Sequence, residues 1–223
     1  ARTRRAKMVV MTFSPHPVEV LRPQQKIPLI IYLRHRLKLL EDLGAEGCIV
    51  IHFTKRFSHL SPGKFVKEYL SKHIQPKEVF VGDDFRFGEH RRGSIECFQQ
   101  LGEKYVFKVN TVHPLRGKGT KDKISSTTIR DLIMQGDLGA AQKFLCRPVS
   151  LMGKVIKGDS RGRTLGFPTA NVSCEHIVIP PRGVYAVNVI VQGRVLQGMT
   201  NIGSRPSFKN NRNDVNVEVH IFE

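Results

Sequence analysis

The spacing of hydrophobic positions changes part-way along this chain and divides it into two textures. Up to about Arg147, apolar runs alternate with stretches whose apolar residues recur every three or four positions, the rhythm of strands followed by helices. Lys7 to Phe13 is a near-continuous apolar run suited to a buried parallel strand. Pro28 to Leu43 carries Ile30, Leu33, Leu37 and Leu40 at helical spacing and ends against Gly44, a helix stop. Cys48 to Phe53 reads as the next strand. Ser61 before Pro62 gives an N-cap and a first-turn proline to a helix reaching about Ile74, which should bury Phe65, Val66, Tyr69 and Leu70. Glu78 to Gly82 predicts a strand, Ser94 to Leu101 a short helix and Tyr105 to Val112 another strand. Ser125 to Leu145 predicts two helices, the first stopping near Gly136 and the second capped by Asp137.

Beyond Arg147-Pro148 the apolar runs become short and β-rich: Leu151 to Ile156, Gly183 to Val191, Arg194 to Asn201 and Val215 to Phe222, punctuated by glycine and proline. The pattern predicts an α/β domain with a parallel sheet over 1–147 and a small antiparallel β-barrel over 148–223. At 223 residues the chain is long enough for two modest cores.

Composition narrows the class. No apolar run approaches the roughly 18 residues of a membrane span, and the first run lacks a small-residue cleavage site. The four cysteines, Cys48, Cys97, Cys146 and Cys174, form no C-x-x-C pair, which fits small buried thiols in a reducing cytoplasm and no membrane partner. The formal net charge of +17 is the footprint expected of a nucleic-acid binder. The excess is nevertheless spread over Arg2 to Lys7, Arg34 to Lys38, Arg91 to Arg92, Arg116 to Lys123 and Lys154 to Arg163.

Chemistry concentrates in Arg161-Gly162-Arg163-Thr164-Leu165-Gly166-Phe167-Pro168-Thr169-Ala170-Asn171. Pro168 fixes its own φ and pushes Phe167 out of the helical region, so the backbone into Thr169 should be extended. Residues two apart then share a face, and Thr169 with Asn171 would aim a hydroxyl and an amide carbonyl at one point, ligands suited to a hard cation carrying ATP phosphates. The alternative is a loop tightened by proline, with Asn171 bonding its own backbone. Gly153, Gly158 and Gly162, with Lys154, Lys157, Arg161 and Arg163 nearby, allow close backbone approach to a triphosphate, though without the G-K-[ST] ending of a P-loop.

Other candidates read similarly. Ser125, Ser126 and Thr127 open a helix with hydroxyls and unsatisfied N–H groups, and Arg130 stands one turn on; this is an anion site or a plain cap. Gly82 to Gly88 leaves a strand at the end where open α/β sheets bind ligands. There Asp84 offers an acceptor, while Phe85 and Phe87 are either stacking platforms or satellite core. His16, held between Pro15 and Pro17, is either structural or a ligand contact. Alternation over Val215 to Ile221 puts Asn216, Glu218 and His220 on the face opposite the valines.

These strings resemble the bacterial bifunctional riboflavin kinase and FAD synthetase family. The Pro168-Thr169-Ala170-Asn171 string is similar to the flavokinase signature. Thr12-Phe13-Ser14-Pro15-His16-Pro17, Val81 to Gly88 and Ile124 to Arg130 stand in the order of the adenylyltransferase domain. Pro181 to Tyr185, Asn201 to Phe208 and Val217 to His220 resemble the kinase. The resemblance implies a Rossmann-like nucleotidyltransferase followed by a Greek-key barrel, with ATP, Mg²⁺ and riboflavin, FMN and FAD as ligands. It implies Glu218 as the base for the ribityl hydroxyl and Thr169 and Asn171 as metal ligands. It also implies flavin or nucleotide contacts from His16, Gly82, Asp84, Phe85, Ser125, Ser126, Thr127, Arg130, Gly153, Lys154, Gly158, Arg163, Phe167 and Pro168. The family's opening G-x-F-D-G-x-H-x-G-H has no counterpart before Met8, and its kinase continues past Glu223, so the resemblance implies a fragment trimmed at both ends. Two rival readings remain open: a basic RNA-binding or regulatory module that keeps the fold without activity, and a monofunctional kinase.

Overall fold

The computed structural model describes residues 6–25, 27–117, 123–157, 167–174, 176–204 and 215–222. Two compact units form, one from residues 1–27 and 40–124, the other from 28–39 and 125–223.

In the first unit, β1 (Val9–Ser14) pairs in parallel with β2 (Gly47–His52), and β3 (Glu78–Gly82) pairs in parallel with β4 (Lys108–Val112). Among the described residues no hydrogen bonding joins the two pairs, so the expected parallel sheet is present as two ribbons. The short helix α1 (Pro17–Leu21) follows β1 after a cis Ser14–Pro15 bond. α3 (Lys55–Ser58) is capped by Thr54 and α4 (Pro62–Phe65) by Ser61, whose Oγ accepts from the Lys64 N–H at 3.3 Å. Helix continues to Ile74 as a π-helical stretch, Val66–Ile74, and ends with Gln75 in a left-handed conformation. α5 (Ile95–Lys104), capped by Ser94, crosses from β3 to β4. The expected strand start at Tyr105 is wrong: Tyr105 is the C-cap of α5, and Val106 turns at φ 62 with its side chain in solvent.

This core is phenylalanine-rich, and its members are brought together by burial of a face of each helix against the ribbons. Phe65, Phe87, Phe98 and Phe107 are buried with Ile51, Val66 and Leu70. Ring centroids step from Phe65 to Phe87 at 5.8 Å, to Phe98 at 4.8 Å and on to Phe107 at 5.8 Å. Each such pair adds about 0.5–1.5 kcal/mol beyond area burial. Tyr69, expected inside, is 36% exposed; its ring stacks on Phe65 at 5.8 Å from the outer side.

α2 (Leu33–Asp42) carries the division between the units and starts later than its apolar spacing predicts. Residues 28–32 are used otherwise. The Leu29 N–H donates to the His176 carbonyl and the Val178 N–H to the Leu29 carbonyl, both at 2.8 Å, so tertiary pairing displaces the first helical turn.

In the second unit, α6 (Ser126–Gln135) and α7 (Leu138–Leu145) are joined at Gly136, whose φ of 85° suits glycine, and at Asp137, which caps α7. An antiparallel sheet follows in the order β5 (Val155–Ile156), β6 (Ala170–Val172), β9 (Val215–Ile221), β8 (Arg194–Ser204), β7 (Gly183–Val191). β7 and β8 form a two-residue hairpin in which Gln192 and Gly193 both have positive φ, the geometry that matches strand twist. The strand expected from Leu151 shrinks to Val155–Ile156. Of the cysteines only Cys174 is buried, and Cys146 is exposed, which corrects the expectation of four buried thiols.

Candidate functional site

The register of the second sheet assembles the main site. Asn171 on β6 faces Glu218 on β9, and Glu218 faces Asn201 on β8. Directly opposed residues in an antiparallel pair share a face with Cβ atoms about 4.5–5.5 Å apart. The three polar side chains therefore form a transverse row, bounded by Ile156 on β5 and Val184 on β7. Thr169 stands one residue ahead of β6.

Hydrogen bonds fix the row. The Asn216 side-chain amide donates to Glu218 Oε1 at 2.8 Å, and the Thr200 hydroxyl donates to the Glu218 carbonyl at 3.0 Å. His220 Nδ1 lies 2.8 Å from the Pro168 carbonyl oxygen and so ties the entry to β6 onto β9. Phe167, exposed, sets its ring edge-on to His220 at 5.6 Å. Asn171 is only 6% exposed, whereas Thr169 is exposed. Asn201 and Asn216 complete the Glu218 neighbourhood; alternation marked Asn216, but nothing local marked Asn201 as a neighbour of Glu218.

Gly153 is needed by the chain itself. A Cβ there would lie 2.0 Å from the Ser173 carbonyl oxygen and 2.7 Å from Val172 Cγ1, while the Ser173 N–H donates to the Lys154 carbonyl at 3.0 Å. The close backbone approach is thus to the end of β6. Lys154 is exposed beside it, and Gly158 and Arg163 lie outside the described residues.

The other predicted site residues fall in two places. In the first unit, the loop after β3 carries Gly82, Asp84 and Phe85 at the C-terminal end of a parallel ribbon. Asp84 Oδ2 pairs with Lys123 Nζ at 2.7 Å, and that bond is the first cause holding the Asp84 carboxyl below its ordinary range. Asp83 Oδ2 lies 3.4 Å from His113 Nδ1. The Phe85 ring stacks on Phe87 at 5.4 Å and packs on Phe98 at 5.6 Å, as satellite core rather than as an open platform. His16 caps α1, its Nδ1 accepting from the Val18 N–H at 3.3 Å.

In the second unit, Ser125 caps α6, accepting from the Thr128 N–H at 3.1 Å, and Ser126 and Thr127 are exposed in the first turn. Arg130 donates from Nε to the Pro28 carbonyl at 2.9 Å, so at least that edge of the guanidinium positions residues 28–32.

A family model described as FAD synthetase matches residues 1–128, and one described as riboflavin kinase matches residues 145–223. The bifunctional riboflavin kinase/FMN adenylyltransferase of Escherichia coli (strain K12) is 36% identical over 223 residues, all of this chain and 70% of that protein. The chain belongs to this family. The family member of Bacillus subtilis (strain 168) is likewise 36% identical, over 97% of the chain and 68% of its own length. A crystal structure described as a macrolide-efflux protein from Streptococcus pneumoniae superposes with a TM-score of 0.83 at 31% identity, covering 100% of this chain and 71% of that one. Among the described residues, no helix is long and apolar enough to cross a membrane. The family's two names match the two textures read from the sequence, a transferase with adenylyltransferase and kinase parts.

Proposed function

We propose that the chain makes flavin cofactors, phosphorylating riboflavin to FMN in its C-terminal part and joining AMP from ATP to FMN, with release of pyrophosphate, in its N-terminal part. The observation that carries the kinase half is the register Asn171–Glu218–Asn201, which gathers a carboxylate and two amides on one face beside Thr169. Glu218 takes the proton of the ribityl 5′-hydroxyl as that oxygen attacks the γ-phosphorus; the bond from the γ-phosphorus to its bridging oxygen breaks and ADP leaves. Asn216 holds one carboxylate oxygen, and among the described residues the second has no hydrogen-bond partner and is the one offered to substrate.

The donor set fits a magnesium ion brought with ATP: a threonine hydroxyl and an asparagine carbonyl are hard neutral oxygens, and the phosphates complete such a shell. When bound, the ion would neutralise charge developing on the transferred phosphoryl group. Among the described residues no His, Cys, Asp and Glu cluster offers a separate metal cage. His220 and the Pro168 carbonyl keep the donor segment against β9, so Thr169 and Asn171 are positioned before substrate arrives.

For the N-terminal part, Gly82, Asp84 and Phe85 after β3 are assigned as flavin or nucleotide contacts, and, each taken by itself, Ser126, Thr127 and Arg130 in the opening of α6 are assigned as phosphate contacts. We place the functional boundary between residues 147 and 148, assign α6 and α7 to the adenylyltransferase, infer that the antiparallel sheet belongs to a Greek-key barrel, and assign the protein to the cytoplasm. Four cysteines without a disulfide support that compartment. Glu218→Gln should lower the rate of FMN formation about 10²–10⁴-fold, the range of general-base catalysis, while ATP still binds. FMN formation at the parent rate would remove Glu218 from its role.

A further inference from the structure

Five cations of the first unit lie on two adjoining segments and have no ion-pair partner among the described residues: Lys55 and Arg56 in α3, Lys64 in α4, and Arg91 and Arg92 in the loop after β3. All five are exposed. The segments are fastened to each other, since the Glu89 N–H donates to the Leu60 carbonyl at 2.7 Å and a Cβ on Gly88 would come within 2.8 Å of Pro62. Acidic residues are nearly missing here. Residues 54–64 contain none, and in 86–92 the one carboxylate, Glu89, lies 3.7 Å from His90 Nε2. Among the described residues the lysine–carboxylate pairs of this unit are Lys72–Glu68 and, at the end of β3, Lys123–Asp84; after the Lys123 bond, Arg91 also helps to hold the Asp84 carboxyl below its ordinary range.

No large hydrophobic side chain is exposed in 54–64 or 86–92, so the surface has no anchor of the kind a protein or membrane partner would bury. What it presents is field. The loop that bears Arg91 and Arg92 begins at Gly82 and Asp84, on the C-terminal end of β3. Like-charged side chains clustered on one surface steer oppositely charged ligands and raise their association rate.

We propose that Lys55, Arg56, Lys64, Arg91 and Arg92 form an electrostatic funnel that draws phosphorylated substrates, FMN and ATP, to the end of β3. The inference rests on the FAD-forming reading above. It separates two flavins that differ by one group, because riboflavin is neutral whereas a phosphate monoester carries about 1.5–2 negative charges at pH 7. The funnel acts on the arrival of FMN and is indifferent to riboflavin.

The test is stopped-flow quenching of flavin fluorescence with the full chain. In the variant Lys55→Gln/Arg56→Gln/Lys64→Gln/Arg92→Gln, the FMN association rate should fall about tenfold at ~10 mM ionic strength, where the screening length is about 30 Å. It should rejoin the parent rate near 1 M, where that length is about 3 Å. FAD formed per second at saturating substrate and riboflavin association should both stay at parent values. The pair Lys55→Gln/Arg56→Gln, confined to α3, should give a smaller loss of the same kind, which keeps the test valid should the fourfold variant unfold. An unchanged FMN rate at low salt, or an equal loss for riboflavin, overturns the funnel alone. A parent protein that binds no FMN and forms no FAD overturns the FAD-forming reading, and the funnel falls with it.

Discussion

Replacing Gly153 by alanine separates two uses of a glycine. If the residue is there only so that a triphosphate can approach the backbone, the unliganded protein should hardly notice one methyl group. The structure instead puts the new Cβ 2.0 Å from the Ser173 carbonyl oxygen, a backbone atom that no rotamer change can move aside, and 2.7 Å from Val172 Cγ1. Relief requires the segment before β5 to draw away from β6. Overpacking of this sort costs about 1–3 kcal/mol, and loss of the 3.0 Å bond from the Ser173 N–H to the Lys154 carbonyl adds about 1 kcal/mol. The expected destabilisation is therefore about 2–4 kcal/mol. For a chain of 223 residues, each kcal/mol lowers Tm by roughly 2–4 °C, so thermal unfolding without ligand should shift down by about 4–16 °C. The strand that moves carries Asn171, whose register with Glu218 sets the kinase row, so FMN formation at low temperature should fall as well. An unchanged Tm together with a raised KM for ATP would refute the packing argument and return Gly153 to a ligand-approach role.

Two smaller effects follow from the second unit. Ser125→Ala removes the cap of α6 and should cost about 1 kcal/mol, read as a lower urea midpoint with unchanged slope; no change would mean that the turn is held by something else. His35 is buried, its Nδ1 has no hydrogen-bond partner among the described residues, and burial first, then the positive Arg147, pushes its pKa down. The unfolded chain protonates this ring near the ordinary value of about 6.5 and the folded chain only at lower pH, so the stability present above pH ~6.5 is lost as pH falls toward the folded value. His35→Gln should flatten the decline of Tm between pH 7 and 5, and an identical decline in both proteins would rule the ring out as its source.

Much of the local structure was legible because its causes are short-range. The caps Ser61, Ser94, Ser125 and Asp137 each act within three residues of themselves, and the helices begin where those hydroxyls and carboxylate predict. β3 and β7 carry the bounds read from their apolar runs. Where the structure departs from the pattern the cause is long-range: α2 loses its first turn because Leu29 bonds to residues near Ile177. The packing of Phe85 on Phe87 and Phe98 is likewise a tertiary pairing.

Periodicity, capping chemistry and composition by themselves determined two textures, a boundary region and a short inventory of oxygen and nitrogen donors. They also determined which face of β9 Glu218 occupies, since alternation along one strand needs no partner. Only the tertiary structure decided that Asn171 and Asn201 flank Glu218, that Gly153 serves β6, and that Arg91 and Arg92 join Lys55, Arg56 and Lys64 on one surface. The reason is that cross-strand register and surface charge depend on pairings between residues tens of positions apart, and no local propensity encodes which of the competing registers will bury the valines best.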